Sequence, residues 1–256
     1  MKTRVVAVSN AKGGTGKTTT AVNVAAALGE LGQRVLVVDL DPQGSASRWL
    51  GADASGRGLL DVFTSGAELA GCAVASSAPG VDLVPGSRLL SGADRILAAE
   101  VGAEFILRRA VAAMEPGRWD WILFDCAPSW GILTVNALAA AAGLLVPVEA
   151  HVMALDGLAD LLANVGTVRE RINPGLDVSG LLVCRMDSRT RHAADVVEAL
   201  RGKFGNLVFK AVVRENVRLA ECPSHRVPVT LYDTKSNGAA DYRAAAAELL
   251  QREGGA

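Results

Sequence analysis

The chain has 256 residues, half of them apolar, and its 26 basic and 27 acidic residues give a formal net charge of −1. This length and composition predict a single domain, residues 1–256, of ordinary α/β size with a sizeable buried core. The near-neutral balance by itself indicates no polyanionic partner. The charge is unevenly placed, however, because residues 185–226 carry nine basic against five acidic side chains.

The cysteines and the amino-terminal residues indicate the cellular compartment in which the protein acts. No pair of cysteines has the C-x-x-C spacing of a zinc site, and their scatter argues against a disulfide framework. The amino-terminal residues lead directly into a strand pattern, with no leader peptide and no apolar run of the roughly 18 residues that a membrane span needs. We therefore expect reduced thiols and a cytoplasmic protein.

Strand-like and helix-like patterns alternate along the chain, and several of the strands are nearly continuous apolar runs. This predicts an α/β fold with a doubly wound, mainly parallel sheet covered by helices on both faces, whose ligands lie at the carboxyl ends of the strands. The stretch Gly51–Ala78 is less regular and predicts surface loops with short helices. The predicted strands are Val5–Val8, Arg34–Leu40, Val81–Val84, Trp121–Asp125, Gly143–Val148, Gly180–Cys184 and Leu207–Val213. The predicted helices are Thr18–Leu31, Gly102–Met114, Thr134–Ala142, Ala154–Arg171, Ala193–Phe204 and Ala239–Gln251.

A glycine-rich segment joins the first strand to the first helix. It matches the phosphate-binding pattern G-x-x-x-x-G-K-[ST], except that Ala11 takes the place of the first glycine. Its glycines let the backbone approach phosphate oxygens, and its N–H groups lie at the positive end of a helix. Lys17 supplies a charge for the outer phosphates, and the Thr18 hydroxyl is a magnesium ligand. The predicted nucleotide-binding residues are Lys12, Gly13, Gly14, Thr15, Gly16, Lys17, Thr18 and Thr19.

Acidic residues follow two of the predicted strands. Asp39 and Asp41 stand at the end of the second strand, before Pro42 and Gly44, and their spacing predicts that both carboxylates project from the same side. Beside a phosphate loop, such a pair can order magnesium-bound water and position the attacking water. Asp125 ends a later apolar strand in the Walker B pattern, which predicts a magnesium contact through water.

The segment K-G-G-T-G-K-T-T resembles the deviant Walker A motif of the ParA/MinD superfamily. Further matches follow in order along the chain: D-x-D-P-Q-G from Asp39, D-C-x-P-S from Asp125, the D-x-R-T part of the family signature M-x-D-x-R-T from Asp187, and N-V-R-L-x-E from Asn216. The resemblance covers essentially the whole chain. On these motifs the chain is identified as similar to the short ParA/Soj-type partition ATPases, which have no N-terminal helix-turn-helix domain.

The resemblance implies a P-loop NTPase fold that binds ATP and Mg²⁺ and hydrolyses ATP. Lys12 would reach across a homodimer interface to the partner's phosphates, so that ATP gates pairing. Lys12, Lys17 and Asp41 would be catalytic, with Asp41 orienting the attacking water. Thr18, Asp39 and Asp125 would surround the metal.

The resemblance also implies partners. Arg189 and Arg218 match family arginines implicated in DNA binding without base specificity, which needs only cations spaced to meet phosphates. A ParB-like protein would stimulate hydrolysis, and the ATPase would associate with the nucleoid and drive segregation of a chromosome or plasmid.

Several positions depart from the family pattern, and three alternatives stay open. Glu149 and His151 take the places of a usual Gln and Glu, with no role assigned to His151, and Arg214 stands where proline is common. The alternatives are an ATPase of the same fold that positions a protein cargo, a MinD-like membrane-associated regulator, and a reductase related to nitrogenase iron protein. The alanine-rich last helix disfavours the membrane role, and the lack of a second suitable cysteine beside Cys126 disfavours the reductase.

Overall fold

The computed structural model describes residues 3–52, 58–151, 154–187 and 190–254. At its centre is an eight-stranded sheet with the order β3-β4-β2-β5-β1-β6-β7-β8. Every neighbouring pair is parallel except β3 and β4, which are antiparallel. The strands are β1 Arg4–Val8, β2 Val35–Asp39, β3 Val74–Ala75, β4 Val81–Val84, β5 Trp121–Asp125, β6 Gly143–Glu149, β7 Asp177–Met186 and β8 Val208–Arg214.

Helices cover both faces of this sheet. Successive residues of each central strand face opposite sides, so Val5 and Ala7 join one hydrophobic cluster whereas Val6 and Val8 join the other. The first cluster contains apolar residues of α5 to α8, and the second contains those of α1 and α11. The helices are α1 Lys17–Glu30, α2 Ser45–Trp49, α3 Leu59–Ser65, α4 Ala93–Leu97, α5 Ile106–Ala112, α6 Ile132–Ala140, α7 Ala154–Arg171, α8 Arg191–Phe204, α9 Val217–His225, α10 Val229–Tyr232 and α11 Asn237–Gly254.

The predicted doubly wound α/β fold is confirmed, and the differences are local. The predicted helix Gly102–Met114 begins as a 3-10 turn, Ala103–Phe105, before α5. The edge strand β3 was not predicted, because two residues are too short for a periodic pattern. Helix α9 was also missed, since it contains Pro223, a residue that normally interrupts a helix.

Parallel pairing places the carboxyl ends of the strands at one edge of the sheet. The end of β1, where the glycine-rich segment begins, lies beside the ends of β5 and β6 because Val8 pairs with Asp125 and with Leu145. Asp39 ends β2 and is paired with Asp125. The predicted site residues of these segments therefore meet at this edge, as the fold class requires. Among the helices that the structure describes, none has the length and apolar character to cross a bilayer.

Candidate nucleotide-binding site

The glycine-rich segment forms a loop between β1 and α1. Gly14 and Gly16 have φ angles of 80° and 89°, in the left-handed region where a side chain would be strained, and Gly16 is the N-cap of α1. A Cβ atom added at Gly13 or Gly14 would meet nothing within 4 Å. The loop backbone therefore faces open space at the positive end of a helix, which is the geometry of an anion-binding site.

Lys17 is a cation held inside this loop. Its side chain is largely buried, and its Nζ donates to the carbonyl oxygen of Lys12 over 2.9 Å. The hydroxyl of the buried Thr15 donates to the same oxygen over 3.4 Å. Burial lowers the pKa of Lys17, whereas the nearby charges of Asp125 and Asp41 act in the opposite direction. The loop therefore carries a poorly hydrated ammonium group that a phosphate oxygen would solvate.

Asn10 fixes the start of the loop, although the sequence reasoning did not single it out. Its Nδ2 donates to the carbonyl oxygen of Pro147 over 2.8 Å, and its Oδ1 accepts from the backbone N–H of Lys12 over 3.1 Å. The buried amide thus connects the loop to β6. The available signal was a polar residue directly after an apolar strand and before the glycines.

Lys12 lies at the rim of the loop, with 53% of its side chain exposed. Its Nζ is 3.7 Å from Oε2 of Glu149, the last residue of β6. The other oxygen of Glu149 lies 3.5 Å from Nη1 of Arg185, near the end of β7. Arg185 has a φ of 53°, a left-handed conformation that is uncommon for a residue with a side chain. Two cations next to the phosphate loop therefore share one carboxylate.

Asp125 is fully buried at the end of β5. The Thr18 hydroxyl lies close enough to lower the pKa of Asp125, but neither carboxylate oxygen has a partner with hydrogen-bond geometry among the described residues. Burial, together with the charge of Asp39, raises the pKa of Asp125 well above its usual value. Buried carboxylate oxygens without partners fit a magnesium ion or its bound water, since the ion prefers oxygen ligands.

Asp39 is also buried, but its oxygens are engaged. Its Oδ2 accepts from the backbone N–H of Ser47 over 2.8 Å and from the Ser47 hydroxyl over 2.6 Å. Its Oδ1 accepts from the backbone N–H of Asp41 over 3.2 Å. Burial raises the pKa of Asp39 to about 6 in spite of these bonds. Asp39 therefore lies beside Asp125 with its orientation set by Ser47, a residue that the sequence reasoning did not identify.

Asp41 and Thr19 flank this centre. Asp41 is partly buried, and its Oδ1 accepts from the backbone N–H of Gln43 over 2.8 Å, which fixes the turn after β2. The negative charge of Asp41 acts to raise the pKa of both Lys17 and Asp125, so Asp41 lies close to the loop. Thr19 is in the first turn of α1, where its carbonyl oxygen accepts from Asn23.

A cavity of about 310 Å³ opens beside the loop. Its lining includes Gly14, Gly16 and Thr19 of the loop region together with Arg214, Leu219 and Tyr242. A larger cavity of about 640 Å³ lies between α3 and α5 and contains none of the predicted site residues. The smaller cavity is continuous with the phosphate loop, since Gly14 and Gly16 line it.

Of the two predicted DNA-binding arginines, the structure describes one. Arg189 lies outside the described residues. Arg218, in α9, is half-exposed, with Nη1 2.9 Å from Glu221 and Nε 3.3 Å from Asp233. Two carboxylates therefore offset its charge, and any phosphate that it binds competes with them.

Comparison with known proteins identifies the family. A family model described as an AAA domain matches residues 3–178. The sporulation initiation inhibitor protein Soj of Bacillus subtilis is 38% identical over 248 residues, covering 96% of this chain and 98% of Soj. The chromosome partitioning protein ParA of Caulobacter vibrioides is 40% identical over 253 residues, covering 98% of this chain and 95% of ParA.

A solved structure shows the same fold with a nucleotide. The cobyrinic acid a,c-diamide synthase of Mycobacterium smegmatis, with a bound ATP analogue and magnesium, is 34% identical to this chain. It superposes with a TM-score of 0.86, covering 99% of this chain and 96% of its own. The fold, the loop and the matches over nearly the full length agree. The chain belongs to the ParA/Soj family of P-loop partition ATPases.

Proposed function

We propose that this protein binds and hydrolyses ATP with Mg²⁺ and uses the nucleotide to control its own pairing and its binding to DNA. The bound ATP analogue and magnesium in the Mycobacterium smegmatis structure support this choice of ligands. So do the open backbone at Gly13 and Gly14 and the unpartnered oxygens of Asp125. The observation that carries the proposal is the phosphate loop next to a buried carboxylate whose oxygens have no hydrogen-bond partner among the residues that the structure describes.

In this proposal each site residue has one task. The N–H groups of the loop bind the phosphate oxygens, and Lys17 exchanges its bond to the Lys12 carbonyl for one to the outer phosphates. Thr18, Asp39 and Asp125 hold magnesium, with Asp125 acting through water. When bound, the metal neutralises charge that develops on the transferred phosphoryl group. Asp41 accepts a hydrogen bond from the attacking water and orients it.

The pairing step rests on Lys12. Its half-exposed side chain at the loop rim is able to reach a second subunit that packs against this face. In the proposal, Lys12 of each subunit neutralises phosphate charge in the other, so a triphosphate stabilises the homodimer and its hydrolysis releases it. The energetic basis is charge compensation, which strengthens as the interface excludes water.

DNA binding follows from pairing. A dimer doubles the number of Arg189 and Arg218 side chains on one molecule, so phosphate contacts made by both subunits raise affinity without any base contact. Two of the matched relatives are named for chromosome partitioning or the control of sporulation. We infer that this protein acts on the nucleoid in DNA segregation and that a ParB-like partner stimulates its hydrolysis.

One experiment tests the proposal as a whole. The wild-type protein is analysed by size-exclusion chromatography with light scattering, with magnesium and either ADP or a non-hydrolysable ATP analogue. The same samples are then titrated onto DNA of random sequence. The proposal expects a monomer with little DNA binding in ADP, and a dimer with salt-sensitive DNA binding in the analogue. A dimer that does not bind DNA would contradict the proposed role in DNA segregation. It would favour an ATPase that positions a protein cargo or, if the dimer binds liposomes, a membrane-associated regulator.

A further inference from the structure

Ser47 connects two segments of the chain beside the phosphate loop. Its Oγ lies 2.6 Å from Oδ2 of Asp39 and 3.0 Å from the backbone nitrogen of Gly86. Ser47 belongs to α2, which follows β2, and Gly86 lies just after β4, the neighbour of β2 in the sheet. Ser47 is 3% exposed and Asp39 is fully buried, so bulk water does not reach these bonds.

The contact with Gly86 fixes the direction of the Ser47 hydroxyl. A backbone N–H can only donate, so the Ser47 oxygen accepts from Gly86 and its single proton is left for Asp39. The distance of 2.6 Å to Oδ2 is that of a hydroxyl donating to a charged oxygen. Gly86 comes close because it has no side chain, since an added Cβ atom would collide with the carbonyl oxygen of Asp39.

The two oxygens of Asp39 are therefore not equivalent. Each carboxylate oxygen has two lone pairs. Oδ2 accepts both the Ser47 hydroxyl and the Ser47 backbone N–H, at 2.6 and 2.8 Å, which uses both of its lone pairs. Among the described residues, Oδ1 accepts one longer bond, 3.2 Å from the backbone N–H of Asp41. Oδ1 thus keeps a lone pair for a further donor or for a cation.

Asp39 presents this oxygen at the same centre as Asp125. The two residues pair in register on β2 and β5, and neighbouring strands run only about 4.8 Å apart, with paired side chains on one face. The buried Asp125 oxygens have no hydrogen-bond partner within the described chain and fit a magnesium ion or its bound water. A lone pair on Oδ1 of Asp39 adds to the oxygen ligands that such an ion or its water needs.

We propose that Ser47 is a positioning residue for magnesium: it holds Oδ2 of Asp39, so that Oδ1 is the oxygen available to the ion and its water. Gly86 supports this role because its N–H fixes the direction of the Ser47 hydroxyl. The inference rests on the proposed function, since it takes Mg²⁺ as the ion and Asp39 as one of the residues around it. It adds which oxygen of Asp39 serves the metal and which residue selects that oxygen.

The test measures how strongly magnesium increases the affinity for ADP. The dissociation constant of ADP is determined by calorimetry for wild type and Ser47→Ala, in EDTA and at a series of free magnesium concentrations. We expect Ser47→Ala to need about 10- to 100-fold more magnesium for half of the increase in affinity, the usual effect of losing a residue that orients a metal ligand. The affinity in EDTA should change less than about twofold, because Ser47 lies outside the loop that binds the phosphates.

Two further variants separate the hydroxyl from the fold. Ser47→Thr keeps the hydroxyl and should need about as much magnesium as wild type. If Ser47→Ala fails to fold, Ser47→Cys takes its place, because a thiol donates a much weaker hydrogen bond.

Ser76→Ala is the matched control. The Ser76 hydroxyl also contacts one backbone N–H and one oxygen, both of Ala78, at 3.0 and 3.3 Å. It precedes β4 and so lies at the opposite edge of the sheet from the phosphate loop. Its removal should leave the response to magnesium unchanged.

Three results would overturn the inference. They are an unchanged magnesium requirement in Ser47→Ala, an equal loss of ADP affinity in EDTA and in magnesium, or a Ser47→Thr variant that needs as much magnesium as Ser47→Ala. A wild-type protein that binds ADP equally well with and without magnesium is a different result. It would refute the proposed use of magnesium and, with it, this role of Ser47.

Discussion

The ammonium group of Lys12 lies 3.7 Å from the carboxylate of Glu149 within the same subunit. In the proposed dimer, Lys12 contacts the phosphates of the partner subunit. In the single subunit it is instead ion-paired with Glu149 of its own chain. Glu149 is shared with Arg185, so three charged groups are coupled at the rim of the phosphate loop. Release of Lys12 from Glu149 is then part of the free energy of pairing.

Glu149→Gln should make pairing easier. The substitution removes the competing charge but keeps the shape of the side chain, and an exposed pair of this kind contributes about 0.2–1 kcal/mol. We expect half-maximal dimerisation at an ATP-analogue concentration lower by about 1.5- to 5-fold, with a difference that shrinks as salt rises. Light scattering over a titration of the analogue measures it.

Asp177→Asn is the matched control for this change. Asp177 forms a pair of the same length with Arg169, at 3.7 Å, but begins β7 and so lies at the opposite edge of the sheet from the loop. Its removal should leave the titration unchanged. If Glu149→Gln requires the same or more analogue than wild type, Glu149 does not restrain Lys12.

Asp125→Asn should stabilise the protein when magnesium and nucleotide are absent. The wild-type carboxylate is buried, and its oxygens have no hydrogen-bond partner within the described parts of the chain, a situation that costs about 1–3 kcal/mol. Because burial raises the pKa of Asp125, the folded state holds its proton to a higher pH than the unfolded state does. Wild-type stability should therefore fall relative to the variant as the pH rises above the pKa of an aspartate in the unfolded chain.

Thermal or urea unfolding at pH 5 and pH 8 measures this difference. Addition of magnesium and ADP should reverse the order, since wild type gains binding free energy that the variant has lost. A variant that is less stable than wild type at pH 8 without ligand would show that the Asp125 carboxylate is satisfied in the free protein.

Asp41→Ala should separate pairing from hydrolysis. Asp41 lies in the turn after β2, where its side chain accepts a local hydrogen bond from the N–H of Gln43, so its loss should leave the fold intact. We expect the variant to dimerise and bind DNA with ATP while its turnover falls about 100-fold or more, the usual contribution of a group that positions the nucleophile. Phosphate release measures the rate, and retained turnover would remove Asp41 from the mechanism.

Arg218→Ala should weaken DNA binding by the dimer and reduce its dependence on salt. Removal of one phosphate contact from each subunit lowers the slope of log affinity against log salt by about 2. Glu221→Gln should act in the opposite direction, because it releases Arg218 from an ion pair of 2.9 Å. Fluorescence anisotropy at several salt concentrations measures both effects. An unchanged slope for Arg218→Ala would show that Arg218 does not contact DNA phosphates.

The sequence predicted the parts of the site that depend on local pattern. The loop glycines, Lys17 and Asp125 were found because each follows an apolar strand, and parallel strands in this fold end at a common edge. The roles of all the predicted site residues remain predictions: those of Lys12, Lys17, Thr18, Asp39, Asp41, Asp125, Arg189 and Arg218.

Contacts between distant segments could not be predicted in this way. Gly86 is 39 residues from Ser47, and Glu149 meets Lys12 only because β6 lies next to β1. Ser47 contacts Asp39 across the turn into α2, a helix too short to leave a periodic pattern. Each of these residues is unremarkable in the sequence, and its importance comes from the partner that the fold supplies.

The most direct test of the account is the molecular mass of Lys12→Ala with magnesium and a non-hydrolysable ATP analogue, measured by light scattering beside wild type. Titration with the analogue first confirms that the variant still binds nucleotide through Lys17. The account predicts a dimer for wild type and a monomer for Lys12→Ala at the same nucleotide occupancy. A Lys12→Ala dimer of wild-type stability would contradict the proposal that this lysine couples nucleotide binding to pairing.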